Sequence, residues 1–455
     1  MGAPVTTWLL SHHIVSLVVA ALTLVLAGFI VNQPRPTGSA LAWLLIILFA
    51  PYLGIPLYLV FGGRKFRRRR SSKSPLTLPT EKEPGPFGLR RLGHATSFTR
   101  TDWCTDGVSA YQQFLSEVRR ASSSIRIVTF VVGDDETGVT LLDALAERAK
   151  AGVEVRLLLD GLLVGRAPRA PLARLRACGG KIAHFMPLLH LPFRGQANLR
   201  NHRKIAIFDG ERAIVGGMNL ADEYMGPLPS EHRWRDLSLL LAGDVVSVLD
   251  GIFRADWEFA SREVLGSAVH GVGPAQRDAI PVRVVPSGPD AASDPLYDTL
   301  LTGVFRAERR FWIATPYFIP DAPLLKALVL AVRRGVDVRI IVPAASNHLL
   351  ADLCAAPGLR QLRAEGATVR PLAQMLHAKA MLMDDALAVV GSANFDMRSL
   401  FLDYEVAVFF SDPKQVARLA HWFEQTTDLA VTNHADPSWL RSSVEGIVRL
   451  LAPLL

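Results

Sequence analysis

HRKIAIFDG (residues 202–210) and HAKAMLMDD (residues 377–385) decide how this 455-residue chain is read, because each sets a lysine at +2 and an aspartate at +7 from a histidine. The register continues downstream. Gly216 and Asn219 stand at +14 and +17 from His202, and Gly391 and Asn394 stand at the same offsets from His377. Matches at so many offsets indicate a duplicated unit. On a strand, residues i and i+2 project to one face. The spacing therefore predicts His202 with Lys204, and His377 with Lys379, aimed into one cleft while Ile205 and Ile207 pack behind.

The flanking sequence repeats as well. SIRIVTFVV (124–132), TLLDALAERAKAG (140–152) and VEVRLLLDG (153–161) read as strand, helix, strand, and so do RRFWIATPYFI (309–319), PLLKALVLAVRRG (323–335) and VDVRIIVP (336–343). The helical stretches carry apolar residues at a 3.6 period and the strands are almost continuously apolar. That is the pattern of βαβ units on a parallel or mixed sheet covered by helices. The Gly/Ala/Pro-rich connection 265–281 is the natural boundary. The expected fold class is α/β, with similar halves at 101–265 and 282–455 forming a pseudo-dimer.

Across a pseudo-twofold axis the two motifs would bring two imidazoles, two ammonium groups and two amides to one site. Imidazole serves as nucleophile and as general acid or base near neutral pH, so two histidines suffice for covalent catalysis with leaving-group protonation. Lys204, Lys379, Asn219 and Asn394 would hold the non-bridging oxygens of a phosphate. Asp209 and Asp384 complete the catalytic motifs but fall at the opposite parity from the histidines, which predicts a turn or supporting role. Asp236 in HRWRDLS and Glu405 in LDYEVAV, at the starts of later strands, are the candidates for orienting the imidazoles. Nothing in the pattern is a metal cage, and no cofactor is expected. Cys104, Cys178 and Cys354 lack CxxC spacing, which suits a reducing compartment.

Residues 14–31 and 40–61 contain no charged side chain. At 1.5 Å per residue they reach about 27 and 33 Å as helices, close to the roughly 30 Å hydrocarbon thickness of a bilayer. Two membrane-spanning helices are expected, the second kinked by Pro51 and Pro56. A basic run, RKFRRRR (64–70), follows the second span at once, whereas the short linker between the spans holds only Arg35. The positive-inside rule then puts the N-terminus and everything after residue 64 in the cytoplasm. The layout is a hairpin anchor over 1–63, then a basic juxtamembrane segment and linker over 64–100. The basic run also suits contact with anionic lipid head groups.

The net charge of +8 is localised. Residues 1–73 hold eight basic side chains and no acidic one, leaving 42 basic against 42 acidic in the remainder. A nucleic-acid partner is therefore not expected.

The paired motifs with their trailing Gly and Asn resemble the HKD motifs of the phospholipase D superfamily. The strings LRNHRKIAIFDGERAIVGGMNLADEY, WRDLSL, IATPYFIPD, GVDVRIIVP and LHAKAMLMDD with GSANFDMRSL, behind an anchor ending PYLGIPLYLVFGGRK, resemble bacterial cardiolipin synthases in particular. One departure is FLDYEV, where Asp403 and Tyr404 precede Glu405 and the family pattern has Asn-Phe-Glu. The resemblance implies two phospholipase D-like halves and a multi-pass protein of the bacterial inner (plasma) membrane. It further implies a phosphatidyltransferase that joins two phosphatidylglycerol molecules and releases glycerol without a metal. By analogy it makes His202 the nucleophile and His377 the acid/base, although the pseudo-symmetry itself does not discriminate between them. A membrane phospholipase D, or transfer to another alcohol or to water, is the alternative. The oligomeric state stays open.

Overall fold

The computed structural model describes residues 3–32, 37–61, 73, 76, 93–162, 164–187, 199–266, 279–291, 294–431 and 438–449. The basic run 64–70, most of the linker before residue 93, and residues 267–278 of the connection between halves lie outside them. The chain divides into an N-terminal unit, residues 1–66, and a second unit containing residues 67–188 and 199–455.

In the N-terminal unit a helix runs from Ala3 to Val31, and its stretch His13–Val31 is long and apolar enough to cross a membrane. The second apolar stretch is not one helix, as its composition predicts, but two, Thr37–Phe49 and Pro51–Phe61. Pro51 has no N–H to continue the ladder and starts a new helix at its first position. Pro56 is accommodated inside that helix. The three helices bury Ile30, Ile47, Ile55 and Tyr58 among themselves, with Trp43 edge-on to Tyr58 at 5.3 Å. Leu17, Leu24 and Val25 on the outside are 70, 74 and 68% exposed.

Among the described residues the second unit has seventeen strands. They are β1 (His94–Phe98), β2 (Arg100–Cys104), β3 (Ser124–Thr129), β4 (Glu154–Asp160), β5 (Lys181–Phe185), β6 (Ile205–Phe208), β7 (Arg212–Gly216), β8 (Ser238–Ala242), β9 (Ile280–Ser287), β10 (Arg310–Ala314), β11 (Phe318–Ile319), β12 (Asp337–Pro343), β13 (Thr368–Leu372), β14 (Ala380–Met383), β15 (Leu387–Gly391), β16 (Phe395–Asp396) and β17 (Glu405–Phe410). One large sheet has the order β2-β8-β7-β6-β3-β4-β5 and the other β1-β9-β17-β15-β14-β10-β12-β13, while β11 and β16 pair parallel as a separate two-stranded sheet. Apart from β1 the two orders correspond strand for strand. In each, three strands run parallel (β3, β4, β5; β10, β12, β13) and the rest pair antiparallel.

The parallel strands are joined by the helices Glu136–Lys150 and Ala322–Arg333, as the apolar periodicity predicts. β1 departs from the sequence reading: residues 94–98, read there as linker, pair antiparallel with β9 and add an eighth strand to the second half.

Side-chain alternation divides the interior into three cores. Ile205 and Ile207 of β6, with Ala380 and Leu382 of β14, enter a core shared by the two sheets and filled by the helices Val245–Ser261 and Pro413–Thr427. Ala206 and Phe208 face an outer core of the first half, and Met381 and Met383 the matching core of the second. The period of two thus sorts consecutive residues of one strand onto opposite cores.

Candidate active site

His202–Lys204 runs extended immediately ahead of β6, and His377–Lys379 immediately ahead of β14. The triplets precede the strands on which the spacing puts them, because their backbone pairs with the opposite half. His202 N donates to Tyr404 O at 2.9 Å, and His377 N donates to Arg235 O at 2.7 Å. Each bond brings the next residue of the opposite strand, Glu405 or Asp236, up to the imidazole.

His202 Nδ1 lies 2.9 Å from Glu405 Oε1 and 3.1 Å from Ser392 O, and His377 Nδ1 lies 2.7 Å from Asp236 Oδ2. Each imidazole takes its carboxylate from the other half. A ring nitrogen facing a carboxylate carries the proton, which leaves Nε2 of each ring as the basic nitrogen. Lys204 Nζ donates to His202 O at 2.7 Å. Lys379 Nζ donates to His377 O and also lies 2.7 and 3.0 Å from the two nitrogens of that ring. Phe130 stands edge-on to His202 at 5.2 Å, and Tyr224 edge-on to His377 at 4.9 Å.

The halves differ at +15 from the histidines. Ser392 Oγ donates to Glu405. Its counterpart is Gly217, where a Cβ would lie 2.2 Å from Asp236 Oδ1. The glycine leaves room for the shorter carboxylate to reach His377.

Burial dominates the electrostatics. Both imidazoles are held well below the ordinary histidine pKa, first by burial and then by the ammonium groups of Lys204 and Lys379. Burial lowers Lys204 to about 7 and Lys379 to about 8, against the pull of Glu405 and Asp236. It raises Asp236 to about 6 and Glu405 to about 7. Two cations and two basic nitrogens in a water-poor pocket form a receptor for an anion, whose charge would relieve the repulsion among them.

The other predicted residues sit differently. Asp209 accepts from the backbone N–H of Ser122, Ser123 and Ser124, and Asp384 from those of Glu308, Arg309 and Arg310. Both have positive φ, 54° and 51°. They tie the β-turn after β6 or β14 to the start of β3 or β10 and are not brought to the histidines. Asn219 Oδ1 accepts from Val131 N and Thr129 Oγ1 at 3.2 and 3.3 Å, whereas Asn394 Oδ1 is buried with no partner. Asp403 pairs with Arg398 at 3.1 Å, and burial pushes it up to about 8.

Sequence reasoning missed Ser392, Gly217 and the aromatic edges. The repeat register holds the signal for the first two, which share the +15 offset. Among the described residues no group of three or more His, Cys, Asp or Glu is arranged to hold a metal ion.

Doubled sheets that meet at two HxK triplets are the architecture of phospholipase D-like proteins. A family profile described as cardiolipin synthase, PLD-like domain, matches residues 114–257 and 301–427, and one described as phospholipase D-nuclease N-terminal matches 21–63. The major cardiolipin synthase ClsA of Bacillus subtilis is 33% identical over 95% of this chain and 97% of its own length. Cardiolipin synthase 1 of Bacillus cereus is 31% identical over 96% of this chain and 93% of its own. Among solved structures, the phosphatidylserine synthase of Haemophilus influenzae superposes with a TM-score of 0.60 at 16% identity, over 79% of this chain and 97% of that one, a likeness of fold. The chain belongs to the cardiolipin synthase family.

Proposed function

We propose that this enzyme makes cardiolipin from two phosphatidylglycerol molecules by two exchanges at phosphorus, with His202 as nucleophile and His377 as general acid and then base. The crossed pairing of each imidazole with a carboxylate of the opposite half carries the reading. It orients both Nε2 atoms and stabilises the imidazolium that forms. Support for the assignment comes from the lysines: Lys379 Nζ lies 3.0 Å from His377 Nε2, whereas the hydrogen bond of Lys204 Nζ goes to the His202 carbonyl. His202 Nε2 is the less encumbered lone pair.

In the first step His202 Nε2 bonds to phosphorus as the bond to the glycerol oxygen breaks, and His377 gives that oxygen its proton. The bound phosphodiester offsets the lysine repulsion and lets His377 carry the proton it delivers. In the second step His377 takes the proton of a hydroxyl on the second phosphatidylglycerol, whose oxygen displaces His202. Lys204 and Lys379 neutralise the non-bridging oxygens, with Asn219 and Asn394 as amide donors. Asp236 and Glu405 hold the rings, and Asp209 and Asp384 brace the strands behind them. One phosphodiester is exchanged for another, so no high-energy donor is needed.

The proposed layout is a two-span membrane hairpin over 1–63, a basic juxtamembrane segment, and phospholipase D-like halves at 101–265 and 282–455. The catalytic region lies on the cytoplasmic side of the bacterial plasma membrane. The charge-free run through residues 37–61 supports a second crossing despite its break.

The test uses phosphatidylglycerol labelled with phosphorus-32, in detergent micelles. The expected result is labelled cardiolipin, with acid-labile label trapped on the protein by rapid quenching. His202→Ala should abolish both, and His377→Ala should lower turnover by about 10²–10⁴-fold. A folded His202→Ala variant that still makes cardiolipin and still traps label would overturn the assignment.

A further inference from the structure

Lys73 belongs by sequence to the segment between anchor and catalytic unit, yet its side chain is 1% exposed. Its Nζ contacts both Asp256 and Asp290 and lies 4.7 Å above the ring of Tyr404. Asp256 comes from the helix that closes the first half, and Asp290 follows β9 of the second. A second cation of the cluster is Arg203, the residue between His202 and Lys204. Arg203 reaches Asp256 Oδ1 at 2.7 Å, Asp290 Oδ1 at 3.5 Å and the carbonyl of Glu405 at 3.0 Å. On the other side of His202, Asn201 Nδ2 donates to Asp256 Oδ2 at 2.9 Å.

Among the described residues, two buried cations therefore face two buried carboxylates. The cluster holds both chain neighbours of His202 and the backbone of its carboxylate partner. Without Lys73 one carboxylate is left without charge compensation in a dry site, which forces it to take up a proton or to draw Arg203 and Asn201 out of place. A shift of about an ångström in a nucleophile costs turnover more than binding.

We propose that Lys73 is a positioning residue of the catalytic centre, fixing the His202–Glu405 pair through Asp256, Asp290 and Arg203. The proposal rests on the reading of His202 as nucleophile.

The test compares full-length enzyme with Lys73→Met, Lys73→Arg and the charge-balanced double variant Lys73→Met/Asp290→Asn, on phosphatidylglycerol micelles. Lys73→Met should lose at least tenfold in kcat, with KM within about twofold, and should displace the acid limb of the pH profile, which reports the His202–Glu405 pair facing Lys204 and Lys379. Lys73→Arg and the double variant should recover most of the turnover and the parental profile. Parental kcat and pH profile in Lys73→Met, with only a lower Tm, would reduce Lys73 to a structural staple and overturn the proposal. So would a double variant no better than Lys73→Met. Should Lys73→Met not fold, the double variant and Lys73→Arg decide by the same readouts. The label trapped on His202 in the parent keeps the two readings apart, since its absence would remove the nucleophile whatever Lys73 does.

Discussion

At the scale of single residues, the proposed catalytic groups are tuned by what surrounds them. In the proposed mechanism, protonation of His202 removes the attacking lone pair as pH falls, and its pKa is held well below 6.5 by burial and the two lysines. The lysines, lowered to about 7 and 8, lose their charge as pH rises through those values. The dependence of kcat/KM on pH should therefore be a bell, rising as His202, Asp236 (raised to about 6) and Glu405 (raised to about 7) lose their protons, and falling as the lysines lose theirs between about 7 and 8. A rate that stays flat to pH 9 in a steady-state series would mean that the lysines need not be charged. Gly217 gives a second expectation. Gly217→Ala puts a methyl group where Asp236 lies, 2.2 Å from its Oδ1, and should cost on the order of 10²-fold in kcat by freeing the His377 ring. Ser392→Ala at the equivalent site removes one hydrogen bond to Glu405 and should cost only about 1 kcal/mol. Parallel assays of the two variants check this, and equal losses would refute the asymmetry.

At the scale of elements, the duplicated strand–helix–strand pattern was legible because both copies keep apolar periodicity and motif register. Asp236 and Glu405 were legible as strand-start carboxylates. Their crossing to opposite halves was not, since no local pattern encodes which strand a distant one will meet. For the same reason the HxK triplets read as strand and are in fact extended chain ahead of it: Tyr404 and Arg235 claim their backbone. Lys73 read as part of the linker because its partners, Asp256 and Asp290, lie 183 and 217 residues away. In the apolar N-terminal unit Pro51 was visible as a disturbance, and the structure makes it a full break. If the broken stretch still spans, a phosphatase or fluorescent reporter fused after residue 90 should report the cytoplasm. Activity only on the outer side would leave the first helix as the single crossing.

At the scale of the whole molecule, the symmetry of the site matches the symmetry of the reaction. The proposed exchange has alcohols on both sides and an equilibrium near balance, so glycerol should run it backward. Enzyme incubated with cardiolipin and excess glycerol should yield phosphatidylglycerol, read by thin-layer or mass analysis. Phosphatidic acid alone, at every glycerol concentration, would mark a hydrolase. The pseudo-dimer is also asymmetric in one respect, since β1 leaves the first half to complete the edge of the second. On the ribosome that strand emerges about 180 residues before β9, its partner, exists. At roughly 5–20 residues per second it spends about 10–40 s as an orphan edge. The proposed catalytic residues and the β-edge alike thus become complete only when the second half is made, and a product truncated before Glu405 lacks part of the proposed phosphatidyl-transfer site. A chain severed within 267–278 and co-expressed as two pieces should reassemble, with β1 acting as a donated strand that holds the pieces together.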